Sequence, residues 1–456
     1  MDIGSALERA RGLAARGEGE AAKQAYVAVL RLDPTFFPAL AELGALARAT
    51  GHRSAARTAY GQAVRCHPAN PAGRVNLANL LFEDGDVAGA RAHYQAALAI
   101  DATLAEAHQG MARVLTDLGE PAEAHWRQGF AGHAVVTRPH RGSGPLVPLL
   151  MLVSARGGNV PMQHWIDERV FAVTAIYADY YEPAHPLPPH ALVVNAIGEA
   201  DLCGMALAGA EAVLARSTAP VINPPAQVRA TGRADNARRL AGVPGVIAPK
   251  TAMMSRASLL AAEDLAFPLL LRAPGFHTGQ HFLRVADRDG LAAAVAGMPG
   301  EDVLAIQYLD ARGADGMARK YRVMFIDGVA YPLHLALSAD WKVHYFTAAM
   351  ATDSVYREEE RRFLDDMPAV LGPRAMAALA GIRAMLGLDF AGVDFALAAD
   401  GSVLLFEANA TMVIYPPGPD PIWDYRRRAI GDVLAAAKRM LRRRAGHAAP
   451  MGKEPI

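Results

Sequence analysis

FAGVDFALAADGSVLLFEANA, residues 390–410, reads as two β-strands joined by the tight turn Ala399-Asp400-Gly401-Ser402. Asp394 lies on the first strand, and Glu407 and Asn409 lie on the second. Side chains alternate faces along a strand, so Glu407 and Asn409, two apart, share one face, and the hairpin brings Asp394 opposite them. Acids flanked by apolar runs are costly to bury unless they are paired or bound to a cation. Two carboxylates and an amide oxygen are hard oxygen donors of the kind Mg²⁺ prefers, usually alongside phosphate oxygens and water. The alternative is an acid pair satisfied by a neighbouring arginine.

The spacing Asp394-(x)12-Glu407-x-Asn409 resembles the metal-binding end of the ATP-grasp superfamily, especially the branch containing glutathione synthetase and the ribosomal-protein glutamate ligase. Upstream segments resemble the same family in the same order. FPLLLRAPGFHTGQHFLRV (267–285) is similar to the strand, glycine loop and strand that cover ATP, with Gly275 and Gly279 giving the backbone its freedom. Arg272 stands where the family usually has Lys. It keeps the charge and can grip a phosphate through two nitrogens, with a different reach. VLAIQYLD (303–310) takes the place of the family's hinge strand, which makes Gln307, Tyr308 and Leu309 the rim of an adenine pocket. ARKYRVMFIDGVAYPLHLAL (318–337) resembles the strand pair that carries cations to the phosphates, and Lys320 and Arg322, two apart, share a face. An exposed ladder of cross-strand charges is the alternative for that pair. Lys342 and His344 in SADWKVHYF are also in phase, but the family offers no match for them.

Residues 1–135 are repetitive. Gly17, Gly51, Gly85 and Gly119 follow one another at steps of 34, as do Ala22, Ala56, Ala90 and Ala124. Tyr26, Tyr60 and Tyr94 keep the same step until Gln128 breaks it, and so do Pro34 and Pro68. The pattern reads as helix, glycine turn, helix and proline stop, with the alanine allowing close helix approach and the tyrosine filling the groove between pairs. It resembles the tetratricopeptide repeat over about four units, the last degraded as a capping repeat is. Such arrays present a concave surface to a peptide or protein; the alternative is that they hold subunits together as a homo-oligomer.

Between these regions, VTRPHRGSGPLVP carries the punctuation of a boundary. Apolar runs at Pro148–Val153 and Ala191–Ala196, a helical stretch between them and another helix over Leu202–Arg216 predict an α/β segment. Two loops there, SARGGN (154–159) and NAIGEAD (195–201), are candidates to meet a ligand, although neither is a Walker or Rossmann fingerprint. After the extended turn at Asn223-Pro224-Pro225, Arg233 is the candidate cation for ATP phosphates, a solvated surface arginine being the alternative.

Composition sets outer limits. The chain has 456 residues, enough for two or three cores, and 52% hydrophobic against 20% charged residues argues against a largely disordered protein. Lys+Arg and Asp+Glu are both 46, so no global charge steers the chain to nucleic acid or anionic lipid. The basic run KRMLRRR ends a predicted helix, where cations suit the dipole, and reads as a solvated face. His277 and His281 have zinc-helix spacing but lie in a glycine-broken loop without the HExxH glutamate, so zinc is not expected. Two distant cysteines, Cys66 and Cys203, and a charged N-terminus without an apolar core predict a cytoplasmic protein with no membrane segment.

The expected layout is multidomain: an all-α tetratricopeptide-like array at 1–135, a linker at 136–146, an α/β domain resembling the pre-ATP-grasp domain at 147–250, an α+β ATP-grasp-like domain at 251–445, and a flexible tail at 446–456. The resemblance implies ATP and Mg²⁺ as cofactors. The metal would sit on Asp394, Glu407 and Asn409, and ATP on Arg233, Arg272, Gly275, Gly279, Gln307, Tyr308, Leu309 and Lys320. Arg272, Lys320 and Arg322 would stabilise the transferring phosphoryl group. The implied activity is ligation of a carboxylate to an amine or other nucleophile through an acyl phosphate, with the array recruiting a peptide or protein. An inactive nucleotide-binding scaffold, suggested by Arg272, and a phosphotransferase remain alternatives.

Overall fold

The repeated glycines sit where the chain turns from one helix into its antiparallel partner. Gly17, Gly51, Gly85 and Gly119 have φ of 78°, 79°, 82° and 70°, a conformation that side chains with a Cβ rarely adopt. The computed structural model describes residues 2–275, 280–343, 345 and 348–446. It divides into two units, Met1–Ala134 and Val135–Ile456, each described by itself.

The first unit is an all-helical array of four hairpins: α1 (Ile3–Ala15) with α2 (Gly19–Leu32), α3 (Phe37–Ala49) with α4 (Arg53–Cys66), α5 (Pro71–Glu83) with α6 (Val87–Ile100), and α7 (Ala105–Asp117) with α8 (Glu123–Phe130). Ala22, Ala56 and Ala90 are fully buried, and so in effect are Tyr26, Tyr60 and Tyr94. Ala124 is exposed in the short last helix, where Trp126 and Phe130 stack at 6.1 Å and close the end of the array.

Close packing also explains glycines outside the turns. A Cβ on Gly44 would lie 2.4 Å from the Tyr60 ring, and one on Gly110 would lie 2.2 Å from the Tyr94 ring. Tyr94 cannot retreat, because its hydroxyl donates to Asn79 Oδ1 at 2.6 Å. Gly110→Ala is therefore expected to destabilise the array by about 1 kcal/mol net: overpacking costs about 1–3 kcal/mol and better helix propensity returns about 1 kcal/mol. Urea unfolding followed by circular dichroism checks this; a more stable variant would contradict the packing.

The second unit opens with a five-stranded sheet of order β1-β3-β2-β4-β5: β1 (Val135–Thr137), β2 (Val147–Val153), β3 (Phe171–Tyr177), β4 (Leu192–Asn195) and β5 (Val221–Ile222). All neighbours are parallel except β1, which runs antiparallel to β3. The nearly unbroken apolar run of β2 is that of a parallel strand covered on both faces. Two expectations are corrected here. The stretch between the apolar runs is not helical but contains β3, FAVTAIY, whose β-branched and aromatic residues favour a strand. The expected linker at 136–146 begins inside the sheet, since Val136 and Thr137 belong to a three-residue edge strand too short to announce itself.

Helices α9 (Gly204–Leu214), α10 (Pro225–Arg229) and α11 (Arg233–Leu240) follow. Next come β6 (Val246–Ile247), β7 (Thr251–Ser255), α12 (Arg256–Ala261), β8 (Leu269–Arg272), β9 (Phe282–Val285), α13 (Leu291–Ala296) and β10 (Asp302–Gln307). Strands β7, β10, β8 and β9 form an antiparallel sheet whose apolar side packs on α12 and α13 through Leu259, Leu271, Leu291 and Val295.

The last sheet has the order β12-β11-β13-β14-β6, with β11 (Ala318–Ile326), β12 (Val329–Ser338), β13 (Phe390–Leu397) and β14 (Val403–Asn409). Strand β6 pairs parallel with β14 although it precedes the boundary expected at 250. Helices α14 (Ser354–Asp365) and α15 (Met367–Leu386) connect β12 to β13, and α16 (Asp424–Arg444) ends the described chain. Ile430, Val433 and Met440 of α16 share one core with Trp165, Phe390 and the β2–β4 side chains, which ties the first and last sheets together.

Helix α15 is long and apolar enough to cross a membrane, but it breaks at Gly372 (φ 77°) before Pro373 and buries Leu379 and Ile382. The basic run closing α16 is neutralised locally: Arg442, Arg443 and Arg444 pair with Asp167, Asp327 and Asp389. The expected solvated face is thus in part a set of ties to loops.

Candidate functional site

Register places the expected residues in one row across four strands. Asp394 on β13 faces Glu407 on β14, Arg322 on β11 faces Asp394, and His334 on β12 faces Arg322. A bulge in β14, where Asp394 opposes Glu407 but Phe395 opposes Leu405, leaves Phe406 outside the pairing. Bulges bend a strand and re-aim its side chains, and this one precedes the expected ligands. Asn409 opposes Gly392, whose missing Cβ leaves room for the Met412 side chain.

The two facing acids of this row are each met by a cation. Arg322 grips Asp394 through two hydrogen bonds, Nε to Oδ1 at 2.6 Å and Nη2 to Oδ2 at 2.7 Å, and Lys320 Nζ lies 3.4 Å from Oδ2. The shared face of Lys320 and Arg322 is therefore a half-buried counter-charge to Asp394 and not an exposed ladder. Beyond Asp394, Glu407 Oε1 accepts from Arg233 Nη2 at 2.6 Å and from Asn409 Nδ2 at 2.8 Å. Asn409 Oδ1 accepts from the backbone N–H and hydroxyl of Thr411. In this arrangement two of the three expected metal donors point to cations and the amide oxygen points to Thr411.

Arg233 is no solvated surface residue. It begins α11, and its guanidinium also lies 3.4 Å from Glu199 and 3.5 Å from Asp201, both in the loop 195–201. Arg272 ends β8, its guanidinium 5.7 Å from the Phe282 ring centre, in the field of Arg233, Glu407, Glu199 and Asp201. Gly275 follows, at φ 87°, where an added Cβ would lie 3.3 Å from the Leu202 side chain. Four cations, Arg233, Arg272, Lys320 and Arg322, thus surround four acids, Glu199, Asp201, Asp394 and Glu407.

This balance sets the ionisation. Burial alone would raise the Asp394 carboxyl, but Arg322 and Lys320 overcome it and hold the group well below the usual carboxylate range. Burial also works against ionised Glu407, and Arg233 and Arg272 outweigh it, so its pKa is lowered. Arg272 moves the other way: burial and then Arg233 lower its pKa. The His334 imidazole is held neutral, first by burial and then by Arg322, with Lys320 and Arg426 adding to it.

Other expected site residues lie apart. Gln307 closes β10, and its Oε1 accepts from the Lys250 N–H. Tyr308 lies beneath Arg284, 4.7 Å from ring centre to guanidinium. Among the described residues no hydrogen bond or ion pair joins Gln307, Tyr308 or Leu309 to the charged row. Lys342 Nζ donates to the Phe282 carbonyl at 3.3 Å, which puts it beside β9. Gly279, His277 and His344 lie outside the described residues.

Sequence reasoning missed Glu199, Asp201, His334, Glu360 and Arg426. Glu199 and Asp201 were inside a loop already singled out, and their acidity next to a candidate cation was the available signal. His334 is two residues beyond Pro332 in a strand read only for its cations, and no local motif marks Glu360 or Arg426.

Among the described residues no group of three or more His, Cys, Asp or Glu side chains could hold a metal ion, so a metal here would require the Asn409 amide or ligand oxygens in addition to Asp394 and Glu407. The chemistry of the donors suits Mg²⁺: two ionised carboxylates stand opposite each other with an amide two residues on.

No protein-family model matches the sequence, and no curated protein matches it. Solved structures similar to it include MamA, at 22% identity and a TM-score of 0.26, covering 29% of this chain and 74% of that one. A tetratricopeptide repeat protein from Parabacteroides merdae is 21% identical, with a TM-score of 0.27, over 29% of this chain and 53% of that one. A RimK-domain ATP-grasp protein from Sphaerobacter thermophilus is 18% identical, with a TM-score of 0.41, over 66% of this chain and 99% of that one.

Proposed function

We propose that the second unit is an ATP-dependent ligase that activates a carboxylate and joins it to an amine or another nucleophile, while the helical array recruits a peptide or protein carrying one of the two. The observation behind this reading is the cross-strand row of Arg322, Asp394 and Glu407, with Arg233 of α11 meeting Glu407 at its end. Two carboxylates held ionised by movable cations can exchange those partners for a divalent ion, and the released cations then face phosphate.

Asp394, Glu407 and Asn409 would hold the magnesium, which when bound offsets phosphate charge. For Asn409 this requires the amide to turn over, which would put its oxygen beside the Glu407 carboxylate; only a cation between them stabilises that pairing. Arg272, Lys320 and Arg322 would gather around the γ-phosphate, with Arg233 beside them. Gly275 and Gly279 would let the loop between β8 and β9 cover the nucleotide and exclude water, and Gln307, Tyr308 and Leu309 would border the base.

In the first stage a carboxylate oxygen attacks the γ-phosphorus and the bond to the bridging oxygen breaks, so that ADP leaves with the electron pair. In the second stage the nucleophile attacks the acyl carbon, the carbon–oxygen bond breaks, and inorganic phosphate leaves as the nucleophile loses a proton to solvent. The chain's work is positioning and charge stabilisation. This chemistry belongs in the cytoplasm, where ATP and magnesium are abundant and thiols such as Cys66 and Cys203 stay reduced.

Incubation of the protein with magnesium, ATP and a panel of acids, with and without amines, tests the reading. It is expected to release ADP and inorganic phosphate in equal amounts only when acid and nucleophile are both present. A stable phosphate ester would instead identify a phosphotransferase, and tight nucleotide binding with no turnover across the panel would favour an inactive scaffold.

A further inference from the structure

Beside the charged row lies a cavity of about 300 Å³, bordered by β11 and β12, by the segment after β14 and by the start of α16. That is the size of a small-ligand site. At one end Lys320, Arg322 and Arg426 surround His334, which is itself only 6% exposed and whose Nδ1 has no hydrogen-bond partner among the described residues. The walls are apolar and aromatic, with the rings of Tyr345, Tyr415 and Trp423. None of the described lining residues is an acid.

Arg426 is held in advance of any ligand. Its guanidinium lies 4.4 Å from the centre of the Tyr345 ring and 6.0 Å from that of Trp423, and its Nε lies 3.3 Å from Glu360 Oε1. Glu360 is fully buried and accepts hydrogen bonds from the hydroxyls of Tyr425 and Tyr345. Nε lies close to this carboxylate without a hydrogen bond to it, and among the described residues no hydrogen bond occupies the guanidinium of Arg426. An arginine fixed by stacking and by a buried acid behind it is preorganised to grip a planar anion through two parallel hydrogen bonds.

We propose that this cavity binds the substrate to be activated, and that this substrate is a small, flat, apolar carboxylic acid without an amino group. The carboxylate meets the cations gathered at His334, and the body lies among the three aromatic rings. An ammonium group finds no counter-charge on the lining, so an amine or amino-acid zwitterion is disfavoured. Glu360 serves as a positioning residue for Arg426. This assignment names the substrate class of the ligase proposed above and rests on that reading.

The test is calorimetric titration of the full chain with benzoate, benzamide, benzylamine and phenylalanine, with and without magnesium and a non-hydrolysable ATP analogue. Benzoate is expected to bind at least tenfold more tightly than the other three. Arg426→Gln is expected to weaken benzoate at least tenfold, and Tyr415→Ala, which removes a half-exposed ring, several-fold. If Arg426→Gln does not fold by circular dichroism, Tyr415→Ala and Arg426→Lys carry the test. Equal binding of benzylamine or phenylalanine, no benzoate binding by a protein that binds the nucleotide, or unchanged benzoate affinity in the folded variants overturns the assignment. If benzoate binds as expected and the magnesium nucleotide does not, the ligase reading fails and the cavity's choice of anion stands.

Discussion

Glu407→Ala is expected to remove nearly all of the thermal stabilisation that magnesium and ATP confer on the second unit, while leaving the unliganded protein folded. A ligand at a hundred times its dissociation constant stabilises by about 2.7 kcal/mol, and most of that increment should vanish. The reason lies in the partners of Glu407. It is the acid of the row with the more exposed side chain, at 26% against 6% for Asp394, so its removal opens no large core cavity. Arg233, its ion-pair partner, still has Glu199 and Asp201. Loss of the ligand response with an unchanged unliganded melting temperature is therefore the expected signature. An undiminished response would mean that the nucleotide's metal is held elsewhere.

The second large effect is one on stability. Arg322→Met is expected to destabilise the second unit by about 3–5 kcal/mol, because it leaves a buried aspartate with Lys320 as its remaining partner. Restoring neutrality with Asp394→Asn in the same chain should recover part of the loss, as coupled partners do in a double-mutant cycle. The two substitutions also differ in pH dependence. The folded pKa of Asp394 is depressed, so its contribution is fully present above the ordinary aspartate value of about 3.9 and is lost as pH falls through the folded value. In Arg322→Met the depression shrinks or reverses, so the loss of stability should extend to higher pH. Urea unfolding from neutral to acid pH checks both; additive effects of the two substitutions would contradict a coupled pair.

What could be read in advance depended on how local the cause is. The step of 34 residues was legible because a tight helix-to-helix turn demands a left-handed glycine and each hairpin repeats that demand. The phase of Glu407 and Asn409 was legible because strand periodicity is two, and the bulge at Phe406 precedes both and leaves it intact. β3 was misread because a short, largely apolar run supports either helix or strand until its partners are known. The pairing of Arg233 with Glu407 spans 174 residues and that of Arg322 with Asp394 spans 72. Nothing in a single sequence chooses between a cation for phosphate and a cation for a buried acid. The Glu360–Arg426 support is of the same long-range kind, joining α14 to α16 with no motif at either end.

The central claim is that Asp394, Glu407 and Asn409 exchange their present partners for a metal when nucleotide arrives. The most direct measurement is a crystal structure with manganese in place of magnesium and a non-hydrolysable ATP analogue, with the metal located by its anomalous scattering. The account predicts a peak within coordination distance of all three side chains, with the Asn409 amide turned over and Arg322 and Arg233 moved toward phosphate oxygens. A metal peak away from the three, with both arginines still paired to their acids, would contradict it.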